Sequence, residues 1–213
     1  MKQNYKKMKI NSGMTLIELI VVLSIFAVLS TVVVFNYTSF QSRVDISNLA
    51  NGIALEVVQA QKLSLNGLLT LSSYVPDNSG YPTTPWKPSY GVYFSTVADG
   101  TGADNKDFVY FVDLNNNSLF DVSNNELLSK YTITKNDYIS RLDAFYADGT
   151  NTTLGATLNN ITITFERPNS GAVINISPAS GKTISYIQVT VVDATGKNPA
   201  NIDLYPSGRV QIN

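Results

Sequence analysis

The side chains best suited to chemistry are four oxygen-bearing residues in a short segment rich in Asn. They are Asp113, Asn115, Asn117 and Asp121, and their alternate spacing is close to the start of a calcium-binding loop of the D-x-N-x-N type. Glu126 lies a few residues further on and could supply another carboxylate. Because carboxylate and amide oxygens are the ligands that Ca²⁺ prefers, the pattern predicts a calcium site.

This segment also departs from the calcium loop of an EF-hand at two positions. Ser118 stands where the turn of that loop needs Gly, and Asn124 stands where a bidentate Glu belongs. An Asn-rich hairpin loop between two strands, which needs no ion, is therefore the alternative. Residues 99–126 hold six acidic side chains and one Lys, and repulsion among these carboxylates favours a divalent cation.

The composition excludes most kinds of catalytic site. The 213 residues include no Cys and no His, which excludes thiol catalysis, disulfides, His general bases and the usual Zn, Cu and Fe sites. Paired carboxylates and Ser–Lys arrangements remain, but neither occurs in a recognisable motif. The sequence therefore predicts a protein that is not an enzyme and has no small-molecule substrate.

Charge is unevenly distributed along the chain. Four of the 15 basic side chains are lysines before residue 13, which leaves 11 bases against 16 acids and a net charge of about −5 beyond that point. Nonspecific binding to nucleic acid requires clustered Lys and Arg. The sequence therefore predicts that nucleic acid is not a partner.

Residues 14–35 form an apolar run broken by a few polar side chains, among them Glu18. At about 1.5 Å per residue a helix over this run is about 33 Å long, enough to cross a bilayer. The lysines before it predict a cytoplasmic N-terminus and an exported remainder. A cleaved secretory signal is the alternative, but it requires a small-residue site after the apolar run, and Ala27 is an imperfect candidate.

A helical period continues beyond the apolar run. One face collects the apolar residues Ile46, Leu49, Ile53, Val57, Ala60 and Leu63. Gly67 after Asn66 is a suitable terminator, so the pattern predicts one helix over 14–66. Its first half, 14–36, is predicted to lie in the membrane, and its second half to belong to an exported domain, 37–213.

The rest of the chain predicts a loop and then strands. Residues 67–89 include a proline-rich stretch with Trp86, which predicts a surface loop; Trp86 is interpreted as sealing the helix against the sheet. Short alternating segments separated by Gly, Asn, Asp and Pro fill 90–213. The predicted fold class is α+β, with one long helix packed on an antiparallel β-sheet or small β-sandwich.

The start of the apolar run resembles the class III leader of type IV prepilins. Residues 12–20, SGMTLIELI, match the G|[F/M]TLIEL pattern of that family. The resemblance implies that a prepilin peptidase cuts between Gly13 and Met14 and methylates the new amine of Met14. It also implies that residues 1–13 are a cytoplasmic leader and that Glu18 pairs with the N-terminal amine of a neighbouring subunit. The alternative is that Glu18 is a chance polar residue near the headgroups.

The order of the later segments is similar to the GspH/FimT family of minor pseudopilins and minor pilins. The matching features are Gly91-Val92-Tyr93-Phe94, the segment from Phe108 to Val112 running into Asp113-Leu114-Asn115, and Gly208-Arg209-Val210. Residues 135–160 match nothing recognisable. The resemblance implies a pilin-like body and a minor subunit of a type IV pilus or type II secretion pseudopilus.

The predicted function is therefore that of a membrane-anchored structural subunit. Its partners would be other pilin or pseudopilin subunits, the prepilin peptidase and the membrane, and after assembly it would lie in a cell-surface or periplasmic filament. The alternative is a minor pilin that binds DNA for natural uptake. DNA-binding relatives carry a G-R-x-R element, and Gly208-Arg209-Val210-Gln211 retains one of its two arginines.

Overall fold

The computed structural model describes residues 13–67, 88–98, 100–152 and 158–213. Its first element is helix α1 (Leu16–Asn66), which confirms the predicted helix to within two residues. Most of the predicted loop 67–89, including Trp86, lies outside the described residues. The chain divides into two compact units, Met1–Gln41 and Ser42–Asn213.

The part of α1 in the first unit is apolar and exposed. Its large side chains from Leu16 to Val34 face the surroundings, and Leu16 itself is 77 % exposed. In the described part of the chain, α1 is the one helix whose length and composition would let it cross a membrane. An exposed apolar surface of this extent requires lipid or other protein to cover it.

The part of α1 in the second unit is amphipathic and buries one face. Ile46, Ala50, Ile53, Val57 and Ala60 are buried in the core, whereas the predicted core residues Leu49 and Leu63 are partly buried. The helix is followed by Gly67, which has a φ of 59°, and the N–H of Gly67 donates to the Ser64 carbonyl oxygen at 3.1 Å. The predicted terminator is therefore in place.

Two antiparallel sheets contain the nine strands of the described residues. Sheet A has the order β3-β2-β1-β5-β6 and sheet B the order β4-β7-β8-β9. The strand bounds are β1 (Ser89–Ser95), β2 (Asp107–Asp113), β3 (Leu127–Thr132), β4 (Tyr138–Tyr146), β5 (Asn160–Phe165), β6 (Ala172–Ser177), β7 (Ile184–Val192), β8 (Pro199–Leu204) and β9 (Val210–Ile212). The predicted α+β class and antiparallel pairing are thereby confirmed.

One apolar cluster joins α1 to both sheets. Sheet A contributes side chains such as Val92 and Ile163, and sheet B contributes side chains such as Leu142 and Val189. Each of these residues is almost completely buried. The second half of the helix is therefore held by apolar burial against both sheets.

Sheet A carries a second, smaller cluster on its other face. Phe120, from the segment between β2 and β3, packs with its ring centroid 5.3 Å from that of Tyr93 and 5.2 Å from that of Phe111. A Cβ at Gly91 would lie 2.7 Å from the ring of Phe111, so Gly at this position lets that ring lie across the strand. The cluster explains why β1 and β2 are buried along their whole length and anchors the segment that follows Asp113.

Candidate functional site

The leader junction lies at the start of the described residues. Gly13 and Met14 are exposed and precede α1, while residues 1–12 of the predicted leader lie outside the described residues. A Cβ at Gly13 would meet no heavy atom within 4 Å. The described fold therefore does not require Gly at this position, which leaves recognition by another protein as a reason for it.

Glu18 closes the first turn of α1 through Thr15. The backbone N–H and the hydroxyl of Thr15 both donate to Glu18 Oε2 at 2.9 Å, and the Glu18 N–H donates to Thr15 Oγ1 at 3.3 Å. This reciprocal arrangement is a capping box. Within the chain Glu18 thus stabilises the helix start. The predicted pairing with the amine of a neighbouring subunit stays a prediction.

The five predicted calcium ligands come together in one hydrogen-bonded loop. Asp113 accepts the backbone N–H of Asn117 at 3.2 Å and that of Ser118 at 2.8 Å, one on each carboxylate oxygen. Glu126 accepts the N–H of Leu114 at 3.1 Å and that of Asp121 at 2.8 Å. Each of these two carboxylates is therefore bound by main-chain donors on both of its oxygens.

Asp121 is surrounded by side-chain amides. Its Oδ2 accepts from the amide nitrogens of Asn115 at 2.9 Å, Asn117 at 2.6 Å and Asn124 at 3.3 Å. The Asn117 amide oxygen accepts the N–H of Leu119 at 2.8 Å. Two of the predicted amide ligands thus present nitrogen rather than oxygen to the nearest carboxylate.

This arrangement satisfies the loop without an ion. Among the described residues, no group of three or more acidic side chains is placed to hold a metal. A cation at Asp121 would require the amides of Asn115 and Asn117 to turn their oxygens toward it. Calcium binding stays a prediction, and the hairpin loop that needs no ion accounts for the hydrogen bonds described.

Ser118 shows how the loop turns where Gly was expected. Asn116 and Ser118 adopt positive φ values of 59° and 60°. The Ser118 hydroxyl donates to Glu166 Oε1 at 3.0 Å, and its carbonyl oxygen accepts the Asn175 amide at 2.8 Å. These bonds tie the loop to the β5–β6 hairpin. Sequence reasoning missed these partners because they lie far along the chain.

Burial makes the loop sensitive to pH. Burial raises the pKa of Glu126 to about 7, although its two N–H donors lower it, and burial raises the pKa of Asp113 as well. The folded state therefore holds a proton on Glu126 at pH values where the unfolded chain has lost it. The free energy of unfolding should fall as pH rises from about 4.5 to about 7, by at most about 3 kcal/mol for Glu126.

Chemical denaturation of the full chain in detergent across this pH range measures that slope. Glu126→Gln carries no charge at any pH and should flatten the slope, even though it loses one N–H bond. Glu166→Gln, which removes a neighbouring carboxylate that bonds Ser118, is the matched control and should leave the slope near that of the parent. An equal slope in the parent and in Glu126→Gln would contradict the prediction.

The calcium prediction is tested in the same preparation above pH 7, where protons no longer compete. Binding to the folded form alone should raise the free energy of unfolding by about 1.4 kcal/mol at ten times the dissociation constant. Asp113→Ala should remove the response. A thermal midpoint that is the same in calcium and in chelator would contradict calcium binding and would support a hairpin loop that needs no ion.

The arginine of the DNA-binding alternative has a partner within the chain. The Arg209 guanidinium lies 3.8 Å from the ring centroid of Tyr205, and Tyr205 continues a stack through Tyr186 to Phe145. Asp203, two residues before Tyr205, accepts from Gln188 at 2.8 Å. Arg209 is exposed, and DNA binding stays a prediction.

Comparison with known proteins gives two matches. The family described as "Prokaryotic N-terminal methylation motif" matches residues 8–34. A fimbrial protein of Pseudomonas aeruginosa is 28 % identical over 106 residues, which cover 47 % of this chain and 64 % of that protein. The chain thus spans slightly less than two thirds of the length of that relative. No solved structure matches the chain.

These matches agree with the motif found in the sequence and with the architecture of the fold. The methylation motif contains Gly13, Met14 and Glu18, and the architecture is one long N-terminal helix with antiparallel sheets. Both matches point to a structural protein and not to an enzyme. The prepilin leader motif, the fimbrial relative and the helix-plus-sheets architecture together support a type IV pilin-like protein.

Proposed function

We propose that the chain is a structural subunit of a type IV pilus or type II secretion pseudopilus. The observation that carries the proposal is an exposed apolar helix surface from Leu16 to Val34, which lies within the residues 8–34 that match the methylation motif. Lipid covers such a surface before assembly, and the equivalent helices of neighbouring subunits cover it in a filament. The fimbrial relative supports the same function.

Processing and orientation form part of the proposal. The prepilin peptidase cleaves between Gly13 and Met14 and methylates Met14, and the apolar helix is retained as a single span with its N-terminus in the cytoplasm. The C-terminal domain is exported. The open surroundings of Gly13 support access of a peptidase to this junction.

Glu18 is the residue proposed to direct assembly. A carboxylate at membrane depth is costly unless it is paired, and the charged N-terminal amine created by cleavage is a partner available on every neighbouring subunit. The hydrogen bonds from Thr15 orient the carboxylate at the helix start but do not neutralise its charge. Pairing between subunits would do so.

The test is the presence of the chain in filaments. Filaments sheared from cells that express the gene should contain the mature chain, and the membrane fraction should hold the unassembled pool. Absence from the sheared fraction and from any periplasmic filament, with normal processing, would contradict the proposed function. The minor status implied by the GspH/FimT resemblance stays a prediction, which the ratio of this chain to other subunits in that fraction would decide.

A further inference from the structure

Two grooves flank the part of α1 that belongs to the second unit. We call the first the acidic groove: it consists of two adjoining cavities of about 290 and 220 Å³, both lined by Asn48, Leu49, Ile133 and Thr134. We call the second the basic groove: it is a cavity of about 430 Å³ lined by residues that include Arg43, Ser47, Lys197 and Ile212. Helix periodicity places Asn48 and Ser47 on opposite sides of the buried face of α1.

The acidic groove carries a net negative charge on an apolar floor. Its charged lining consists of Asp45, Glu56, Asp137 and Lys135, three acids against one base. Lys135 lies 2.7 Å from Asp45 and forms an ion pair with it, so the lining keeps an excess of acidic side chains. Leu49, Ile53, Phe108 and Ile133 supply the apolar floor.

Two further observations show that this side of the helix has an unpaired carboxylate oxygen and an exposed apolar side chain. Glu56 Oε2 is buried without a hydrogen-bond partner in the described part of the chain, so part of its charge is unsatisfied. Leu55, the residue before it, is 62 % exposed. A partner that brings positive charge and apolar surface would satisfy both features.

The basic groove has the opposite character. Arg43 and Lys197 are exposed, and no acidic side chain of the described residues lines this groove. Its apolar part consists of Ile46, Pro199, Ala200 and Ile212, of which Ile212 is 36 % exposed. Lys197 is positioned by a turn in which its N–H donates to Asp193 at 3.0 Å.

We propose that the basic groove of one subunit docks on the acidic groove of a second copy of this chain. The two surfaces are complementary in charge, both have apolar floors, and they lie on opposite flanks of one helix. A contact between two different surfaces of identical chains is heterologous, and a heterologous contact that does not close into a ring generates a helical filament. This inference rests on the proposed function and adds the residues that join exported domains.

Disulfide cross-linking tests the contact with the full chain in cells that assemble it. The chain has no Cys, so every disulfide comes from the introduced residues. One tagged copy carries Ser47→Cys in the basic groove, and a differently tagged copy carries Thr134→Cys in the acidic groove; both positions are exposed. The expected main product is a disulfide between the two tags.

The controls separate this contact from other arrangements. Ser185→Cys, exposed on β7 and outside both grooves, should give no cross-link to either site. Products joining two Ser47→Cys copies or two Thr134→Cys copies, in amounts equal to the mixed product, would overturn the heterologous contact.

Charge reversal tests the chemistry of the contact. Lys197→Glu in the Ser47→Cys copy should lower the mixed product about fivefold, and Asn48→Lys in the opposing Thr134→Cys copy should restore it. Failure of Lys197→Glu to lower the yield would overturn the electrostatic pairing. If the chain is present in sheared filaments but the mixed product is no more abundant than with Ser185→Cys, the contact is wrong and the proposed function stands. If the chain is absent from filaments, it is the proposed function that fails.

Discussion

Glu18→Ala should lower incorporation of the chain into filaments at least about 100-fold while leaving insertion and leader cleavage intact. Leaving a neighbour's amine unpaired in a low-dielectric environment costs about 3–5 kcal/mol, and each 1.4 kcal/mol is about tenfold in an equilibrium. The measurement is the ratio of mature chain in the sheared filament fraction to that in the membrane fraction.

Glu18→Gln separates the two roles available to this residue. Gln retains an oxygen that can accept from Thr15, as Glu18 does at 2.9 Å, and is compatible with a capping box. It has no charge to offer an amine. We therefore expect Glu18→Gln to fail in assembly nearly as completely as Glu18→Ala. Normal assembly of Glu18→Gln would show that capping of α1, and not pairing between subunits, is the role of Glu18.

Gly13→Leu should block leader cleavage and leave the precursor inserted in the membrane. The chain itself tolerates a side chain there, because a Cβ at Gly13 meets nothing within 4 Å, and the apolar helix is unchanged. The expected result is accumulation of the uncleaved chain on immunoblots of the membrane fraction.

Met14→Phe is the matched control for that experiment. It changes the other side of the same bond to the second residue that the prepilin pattern accepts, and it should be cleaved normally. Cleavage of Gly13→Leu at the parental rate would contradict a requirement for Gly at this junction.

The sequence predicted the local elements well because each has a local cause. The apolar run and the period from Ile46 to Ala60 predicted α1, and alternation between turn residues predicted each strand. The order in which the strands pair could not be predicted from the sequence. For example, β1 lies between β2 and β5, and this order depends on contacts between distant segments. Division into two sheets that share one core with the helix follows from the same long-range packing.

The candidate sites divide in a similar way. Spacing predicted that Asp113, Asn117, Asp121 and Glu126 would lie together, and they do. The spacing could not predict that backbone N–H groups would donate hydrogen bonds to the carboxylate oxygens. The directions of these N–H groups follow from the positive φ of residues such as Ser118. The sequence did not predict the two grooves, because residues such as Arg43 and Lys197 are distant in sequence and line the same groove only in the folded chain.

The mass of the mature N-terminus shows whether the leader is removed and the apolar helix is retained. Intact-mass and peptide mass spectrometry of the chain extracted from membranes of a cell with a prepilin peptidase should find a terminus at Met14, carrying one N-methyl group and lacking residues 1–13. A chain cleaved after Ala27 would instead have lost the apolar helix start with Glu18, and that result would contradict the account of a retained, methylated pilin helix.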